Sequence, residues 1–499
     1  MKKFLKSCLA ILAIVCVSFS FVGCKKKVSD TTTNVDNVKL SGGVTTNGGM
    51  TVVYGDYLYF INGSKDNDGT SPKDNKRGAI CRVKFDMTTG ETTGDMEVVI
   101  DELAGFSNAS LNIFGDYLYY TVPCADENYK SEILYNKTCF KRYDLVNKKS
   151  YLLYTTALNN KDESIEFAYY VVGDSLNLVV YETKNATVTS LKIDKKVTTN
   201  FVISEVTDCV LSDHYGKVTT TGATVDANSY VFYSKSPELY DYPQTGSKVY
   251  KTSPVTDNST MISQGKDVSL LSIRSGKLLY SYNKFVFAQK ITAETNETLS
   301  TENVNCISRA ELTNAIYLED YELQGKDETA KLVKSEGHIT ILTFNADTYY
   351  LSIFEWSSSN NSFEDNHTDI AFIDSAKEFE FMGLTTIEEI VTKDDPDTEE
   401  NEEVKRTVMY ALYRNDSKAF KVEIAEIKDG ETKVTIHSQN VQLSGSTLTA
   451  TNGKLLPEAV GNYLFVISED DDKHNYLIKI DLTTTKNVED KTDKFAIEE

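Results

Sequence analysis

The chain of 499 residues holds one tryptophan, five histidines, seven arginines and seven prolines. Each scarcity removes a class of function. Seven arginines within a net charge of -22 leave no concentrated positive surface for a phosphate backbone, so nucleic acid is excluded as a partner. His214, His338, His367, His437 and His474 stand too far apart for a local metal motif. Any zinc site would have to be assembled from distant segments. Neither Gly-x-Gly-x-x-Gly nor Gly-x-x-x-x-Gly-Lys-Ser/Thr occurs, and there is no Gly-x-Ser-x-Gly elbow. The sequence therefore names no catalytic residue, no cofactor and no metal ligand. Long apolar runs are also missing, apart from Leu9 to Val22, broken only by Ser18 and Ser20. That run falls short of the ~20 residues a spanning helix needs.

What is present begins with that run. Met1-Lys2-Lys3-Phe4-Leu5-Lys6 supplies the positive start of an export signal, and the apolar stretch ends at Phe21-Val22-Gly23-Cys24, followed by Lys25-Lys26-Lys27 and a polar run to about Asn47. Val22-Gly23-Cys24 resembles the lipobox of bacterial lipoproteins, although Phe21 stands where Leu is usual. The resemblance implies that the Cys24 thiol is diacylated and becomes the new amino terminus, holding the protein on the extracytoplasmic face of the membrane. Ser18-Phe19-Ser20 offers the alternative of ordinary signal-peptidase cleavage without lipid. The expected organisation is a signal peptide over 1–23, a flexible polar tether over 24–43 and a folded domain over 44–497.

Cysteines beyond Cys24 are Cys81, Cys124, Cys139, Cys209 and Cys306, an odd number at irregular spacing. They form no disulfide framework. A Cys124 to Cys139 bridge is the nearest pairing, with reduced core cysteines as the alternative.

The informative internal feature is a recurring phrase. Gly55-Asp56-Tyr57-Leu58-Tyr59-Phe60 returns as Gly115-Asp116-Tyr117-Leu118-Tyr119-Tyr120, and weaker copies start at Gly173, Asn228, Ser275, Gly337, Thr407 and Gly461. Several are followed by a second strand-like phrase, as in Ile80-Cys81-Arg82-Val83-Lys84-Phe85-Asp86, Cys139-Phe140-Lys141-Arg142-Tyr143-Asp144 and Tyr476-Leu477-Ile478-Lys479-Ile480-Asp481. Tyr, Val, Ile, Phe and Thr suit pleated strands with one face inward, and Gly, Asn and Asp supply the turns. Helical periodicity is scarce, with Glu319 to Lys334 the one stretch that fits a short helix. Lys393 to Lys405 and Thr292 to Asn305 read as polar loops.

The fold class is thus all-β. A repeat of about 55 to 60 residues fits a blade better than a solenoid coil, giving a single β-propeller of seven or eight four-stranded blades, with eight phrases favouring eight. The phrase pair is similar to the propeller repeats of Gram-positive and mollicute-type lipoproteins, whose blades resemble low-density-lipoprotein-receptor-related propellers. That resemblance supports a fold and leaves function open.

Acidic segments provide the remaining candidates. Asp66-Asn67-Asp68-Gly69 resembles the start of a calcium loop, but Arg77 stands where an EF-hand needs its closing Glu. Ser64-x-Asp66-x-Asp68-x-Thr70 partly resembles an Asp-box turn, with Asp68 in place of glycine. Asp470-Asp471-Asp472 and the insertion around Pro396 offer at most weak Ca2+ binding. The leading expectation is a membrane-anchored binding or scaffolding module for a protein or glycan. A carbohydrate-active hydrolase or lyase with acidic residues at the channel is the rival, and an envelope sensor or assembly partner the third reading. Facing carboxylates at the channel mouth would separate the first two.

Overall fold

Gly55 and Asp56 turn the chain between strands Thr51–Tyr54 and Tyr57–Ile61, and Gly115 and Asp116 do the same between Asn112–Phe114 and Tyr117–Cys124. Both glycines hold φ at +59°. That left-handed conformation costs a residue with a Cβ about 1–2 kcal/mol, which is why the phrase begins with glycine. The structure, a computed structural model, describes residues 50–63, 78–104, 111–124, 137–157, 165–173, 175–193, 196–211, 216–218, 229–236, 247–265, 268–274, 277–282, 285–291, 296–298, 316–324, 331–345, 350–357, 362–371, 380–393, 402–415, 418–426, 431–442, 447–449, 460–469, 475–482, 488–489 and 494–495. The chain divides into two compact units, Met1–Asn34 and Val35–Glu499, of which the first lies outside the described residues.

The second unit is all-β. Its strands form antiparallel meanders in sequence order. The first sheet runs Thr51–Tyr54, Tyr57–Ile61, Ile80–Phe85, Thr92–Ile100, and the second Asn112–Phe114, Tyr117–Cys124, Lys137–Asp144, Lys149–Thr155. Ile165–Val172, Ser175–Glu182, Thr187–Lys192 and Thr198–Ile203 make the third, whose first strand is joined in parallel by Gly216–Val218. The fourth consists of Val206–Val210, Val231–Lys235, Ser247–Thr252 and Thr260–Gly265. The fifth comprises Ser269–Arg274, Lys277–Tyr282, Phe285–Ile291 and Asn296–Thr298, and the last Thr447–Thr449, Tyr463–Glu469, Asn475–Asp481 and Lys494–Phe495.

Burial shows how the meanders sit. Second strands are buried on both faces: Leu58, Tyr59, Phe60 and Ile61 are all inside, as are Leu176, Leu178, Val179 and Val180. This departs from the expected strand with one solvated face, because each such sheet is sandwiched between neighbours. Fourth strands behave differently, with Thr92–Ile100 mostly exposed and Lys149–Thr155 exposed or half-buried except for Leu153. One apolar cluster joins second and third sheets through Phe114, Phe140, Phe167 and Tyr169; others join third to fourth and fourth to fifth. The first sheet packs on both the second and the last.

That last contact sets the final sheet beside the first. Phe85 meets the edges of Tyr463 and Phe465 at ring-centroid distances of 5.8 and 5.9 Å. The Tyr463 hydroxyl donates to the Thr88 carbonyl at 3.4 Å, and Lys479 Nζ donates to the Gly90 carbonyl at 2.8 Å. Successive meanders, first strand innermost and exposed strand outermost, with the last sheet packed on the first, constitute a β-propeller.

A cation stacks on a tyrosine of the neighbouring strand in a repeated way within the sheets. Arg82 lies 4.5 Å from the Tyr57 ring centroid, Arg142 lies 5.2 Å from Tyr117, Lys251 lies 4.7 Å from Tyr230 and Lys479 lies 5.3 Å from Tyr463. In every case the cation is the ladder partner of the residue two positions after the tyrosine: Tyr59, Tyr119, Phe232 and Phe465. Each stack contributes about 0.5–2 kcal/mol. Two of these cations also reach the next sheet round the ring, since Arg142 Nη1 donates to the Ile193 carbonyl at 2.9 Å as Lys479 does to Gly90.

Between Ile316 and Gln442 the expected four-stranded division is not followed. Strands from this stretch, with Val488–Glu489, build one nine-stranded sheet. The phrases at Gly337 and Thr407 fall within Lys331–Asn345 and Glu402–Asn415, long runs without an Asn-Gly or Asp-Gly pair to break them. The short helix expected over Glu319 to Lys334 is instead Ile316–Gln324 pairing with Lys331–Asn345. Tyr317 and Tyr321 favour a strand, and Gly325 falls between the two. Of the two expected loops, Thr292 to Asn305 contains strand Asn296–Thr298, and the charged insertion is shorter than expected because strands run to Lys393 and from Glu402.

Candidate ligand face of the propeller

In the first two sheets the meander makes the two ends unequal. Connections from first to second and from third to fourth strands emerge at one end, and the early ones are short: 55–56, 115–116, 86–91 and 145–148. Asp86 Oδ1 accepts from the Thr88 and Thr89 amides at 2.7 and 3.1 Å, and Asp144 Oδ1 accepts from Val146 and Asn147 at 2.9 and 2.7 Å. These bonds hold the Asp86 carboxyl below its ordinary range. The aspartates here shape turns. Across neighbouring sheets Tyr54 donates to Asp116 Oδ1 at 2.6 Å, and that hydrogen bond, helped by burial, pushes the phenol up to about 12.

At the opposite end the first two sheets carry long connections, 62–79, 101–111, 125–136 and 156–164; in later sheets the lengths are mixed, with 183–186 and 204–205 short here and 211–230 long at the turn end. A binding surface needs such loops fixed at their bases, so that ordering entropy is not spent again when a ligand arrives. At the base of 62–79, the Asn62 amide donates to Ala79 O at 2.9 Å, Gly78 N to Gly63 O, and Ala104 N to Gly78 O at 2.6 Å. Lys141 Nζ pairs with Glu102 Oε2 at 2.7 Å, and the Tyr120 hydroxyl donates to the same oxygen at 3.2 Å. Burial first, and the Glu102 charge second, hold that phenol protonated.

Glu182 is the most committed group of this end. Its residue is 3 % exposed, and its carboxylate accepts from Tyr154 OH at 2.8 Å, Ala157 N at 2.9 Å and Asn185 Nδ2 at 2.8 Å. One side chain thus ties the start of 156–164 to the third sheet. Burial, followed by the bond to Glu182, pushes Tyr154 up to about 12. Glu182→Ala would strand three donors and is expected to cost about 2–4 kcal/mol, with loss of exchange protection at the Ala157 amide. Urea unfolding together with amide exchange checks this; an Ala157 amide as protected as in the parent would show that Glu182 does not hold the loop base.

The inner strands bear on the enzyme reading. First strands of the six meander sheets contribute two carboxylates, Glu166 and Asp208. Asp208 is engaged by the Cys209 amide at 2.9 Å and by the Leu270 amide of the fifth sheet at 2.8 Å. Glu166 lies opposite Tyr181 in the ladder. With burial the larger cause, Cys209, Asp208 and Glu166 all raise the Tyr181 phenol. That arrangement keeps a phenol protonated. Among the described residues no group of three His, Cys, Asp or Glu is placed to hold a metal ion.

The residues singled out from sequence are scattered. Cys24, Asp66 to Gly69, Pro396, Asp470 to Asp472, His214, His474 and Cys306 lie outside the described residues. The backbone register sets His338 opposite Ser357, His367 opposite Phe354, His437 opposite Lys421 and Trp356 opposite Ile339, so these positions are spread over one large sheet. Cys81 and Cys209 are buried thiols, whereas Cys139 is engaged in a disulfide. Sequence reasoning missed Glu102 and Glu182, which carry no motif. It also missed the tyrosine–cation pairing, whose signal was the basic residue recurring at Arg82, Arg142 and Lys479.

No protein-family model matches the chain, and no curated protein matches it in sequence. Among solved structures, the WD40 domain of SCAP from fission yeast is similar with a TM-score of 0.38 at 10 % identity, covering 85 % of this chain and 88 % of that one. A prolyl endopeptidase structure gives a TM-score of 0.38 at 11 % identity, covering 76 % of this chain and 48 % of that one, so the match spans about half its length. An oligogalacturonate lyase from Vibrio parahaemolyticus gives 0.35 at 7 % identity, covering 88 % and 97 %. The propeller assignment accordingly rests on sheet order and closure of the ring in this chain itself.

Proposed function

We propose that the protein is a membrane-tethered, extracytoplasmic β-propeller that binds a protein or glycan with the long connections at one end of its ring. The observation that carries this reading is the asymmetry of the two ends in the first two sheets. In the first two sheets the turns at one end are short, while the connections opposite, 62–79, 101–111, 125–136 and 156–164, are long, and their described bases are tied by Glu102, Glu182 and a run of backbone bonds. The carboxylates at those bases accept hydrogen bonds, which suits support of a surface better than acid–base chemistry. The acidic charge of -22 favours a ligand that is neutral or basic. Cys24 supplies the anchor, and residues 24–43 the tether.

A soluble form starting at Gly42, screened on a glycan array and a panel of extracellular surface proteins, tests the proposal. A ligand is expected whose binding is lost when 125–136 is replaced by a Gly-Ser linker and kept in Lys84→Glu and Val146→Asp at the turn end. Absence of any ligand, or binding sensitive only to the turn-end changes, would overturn it.

A further inference from the structure

We infer that Cys139 is bridged to Cys124, closing the connection 125–136 into a covalent loop on the proposed ligand face. Cys139 is engaged in a disulfide, and Cys81 and Cys209 are excluded as its mate because both are buried thiols. The remaining cysteines are Cys8, Cys16 and Cys24 near the start of the chain, Cys124 and Cys306. Of these, Cys124 is placed beside Cys139 by the ladder: strands Tyr117–Cys124 and Lys137–Asp144 pair with Cys124 opposite Lys137 and Val122 opposite Cys139. Both cysteines therefore fall on one face, one diagonal step apart. In a flat ladder diagonal neighbours are about 7–8 Å apart, and a disulfide spans up to about 6.8 Å between Cα atoms. Cys124 is the last residue of its strand, where the ladder can close up by that small amount.

The position gives the bond its role. Cys124 is the last strand residue before 125–136 and Cys139 lies just after it, at the end of the ring where Thr138 and Thr156 exchange hydrogen bonds of 2.9 and 3.0 Å. A bridge there removes freedom from the free loop before any ligand arrives, the same service that Glu182 gives to 156–164. Forming it takes two protons and two electrons from the two thiols. They pass to the disulfide of an extracytoplasmic thiol oxidase, which leaves as a dithiol while the Sγ–Sγ bond forms. This inference agrees with export but requires neither the lipid on Cys24 nor the ligand proposed above.

The test uses the full chain isolated from its exporting host, alkylated without reduction and digested with trypsin. A linked pair is expected between the peptide holding Cys124, residues 85–130, and the peptide 138–141 holding Cys139. Cys124→Ser and Cys139→Ser should each abolish the link and leave the other thiol open to alkylation. The two single variants and the double variant should lose the same amount of Tm, because they remove one bond. Alkylation of both thiols in the parent, a linked peptide joining Cys139 to Cys306, or additive losses in the double variant would each overturn the inference. A linked pair in a protein that binds no ligand would leave the bridge standing and sink the ligand reading alone.

Discussion

The Gly90→Ala protein will unfold at a clearly lower temperature than the parent, by more than Gly115→Ala lowers it. Both glycines have positive φ, +69° at Gly90 and +59° at Gly115, so both substitutions pay about 1–2 kcal/mol of backbone strain. Their surroundings differ. A Cβ on Gly115 meets nothing within 4 Å, whereas one on Gly90 would overlap the hydroxyl-bearing edge of the Tyr463 ring in the last sheet. Gly461 has the reciprocal problem, its Cβ colliding with the Met87 carbonyl of the first sheet. Relieving the overlap at Gly90 means withdrawing the first-sheet turn from the last sheet. That adds the ~1–3 kcal/mol typical of overpacking and also lengthens the Lys479 bond. The expected total is about 2–5 kcal/mol for Gly90→Ala against about 1–2 for Gly115→Ala. Adding Tyr463→Ala should recover part of the loss, so the pair costs less than the sum of the singles. Equal costs for the two glycine variants would mean that the turn at Gly90 does not dock on the last sheet.

A second large effect is expected near the start of the chain. Cys24→Ala should abolish incorporation of labelled fatty acid and move the protein from the membrane fraction to the soluble fraction with its unfolding temperature unchanged. Each buried CH2 is worth ~0.8 kcal/mol, so on the proposed lipidation two or three acyl chains would account for essentially all of the membrane affinity. The folded domain contributes little, because a charge of -22 opposes binding to anionic lipid. If the Ala variant stays membrane-bound in folded form, the lipid assignment at Cys24 fails. If the parent itself takes up no fatty acid and is soluble, cleavage at Ser18-Phe19-Ser20 is the correct reading.

What the sequence made legible was local. Gly55-Asp56 and Gly115-Asp116 announced their turns because the backbone there needs a residue tolerant of positive φ, and the Tyr-Leu-Tyr phrases announced their strands. Those signals sufficed for an all-β propeller. Ladders of long range were not legible: nothing in Lys331–Asn345 or Glu402–Asn415 says that they share one sheet, since register depends on partners far along the chain. Glu182 was equally silent, because a carboxylate that saturates three donors has the same letter as one in a solvated loop. Arg142 and Lys479 lay in quoted phrases, yet their reach to Ile193 and Gly90 becomes apparent only once the next sheet is beside them.

Closure of the ring is the claim on which the inner strands, the two unequal ends and the ligand face all depend. A distance measurement between spin labels at Met87→Cys in the first sheet's turn and Asn462→Cys in the last sheet tests it most directly, since the Met87 carbonyl lies against Gly461 in the closed ring. The propeller predicts a single, narrow, short distance that survives dilution of the protein and is lost on unfolding. A broad distribution reaching to long distances in the native protein would contradict it.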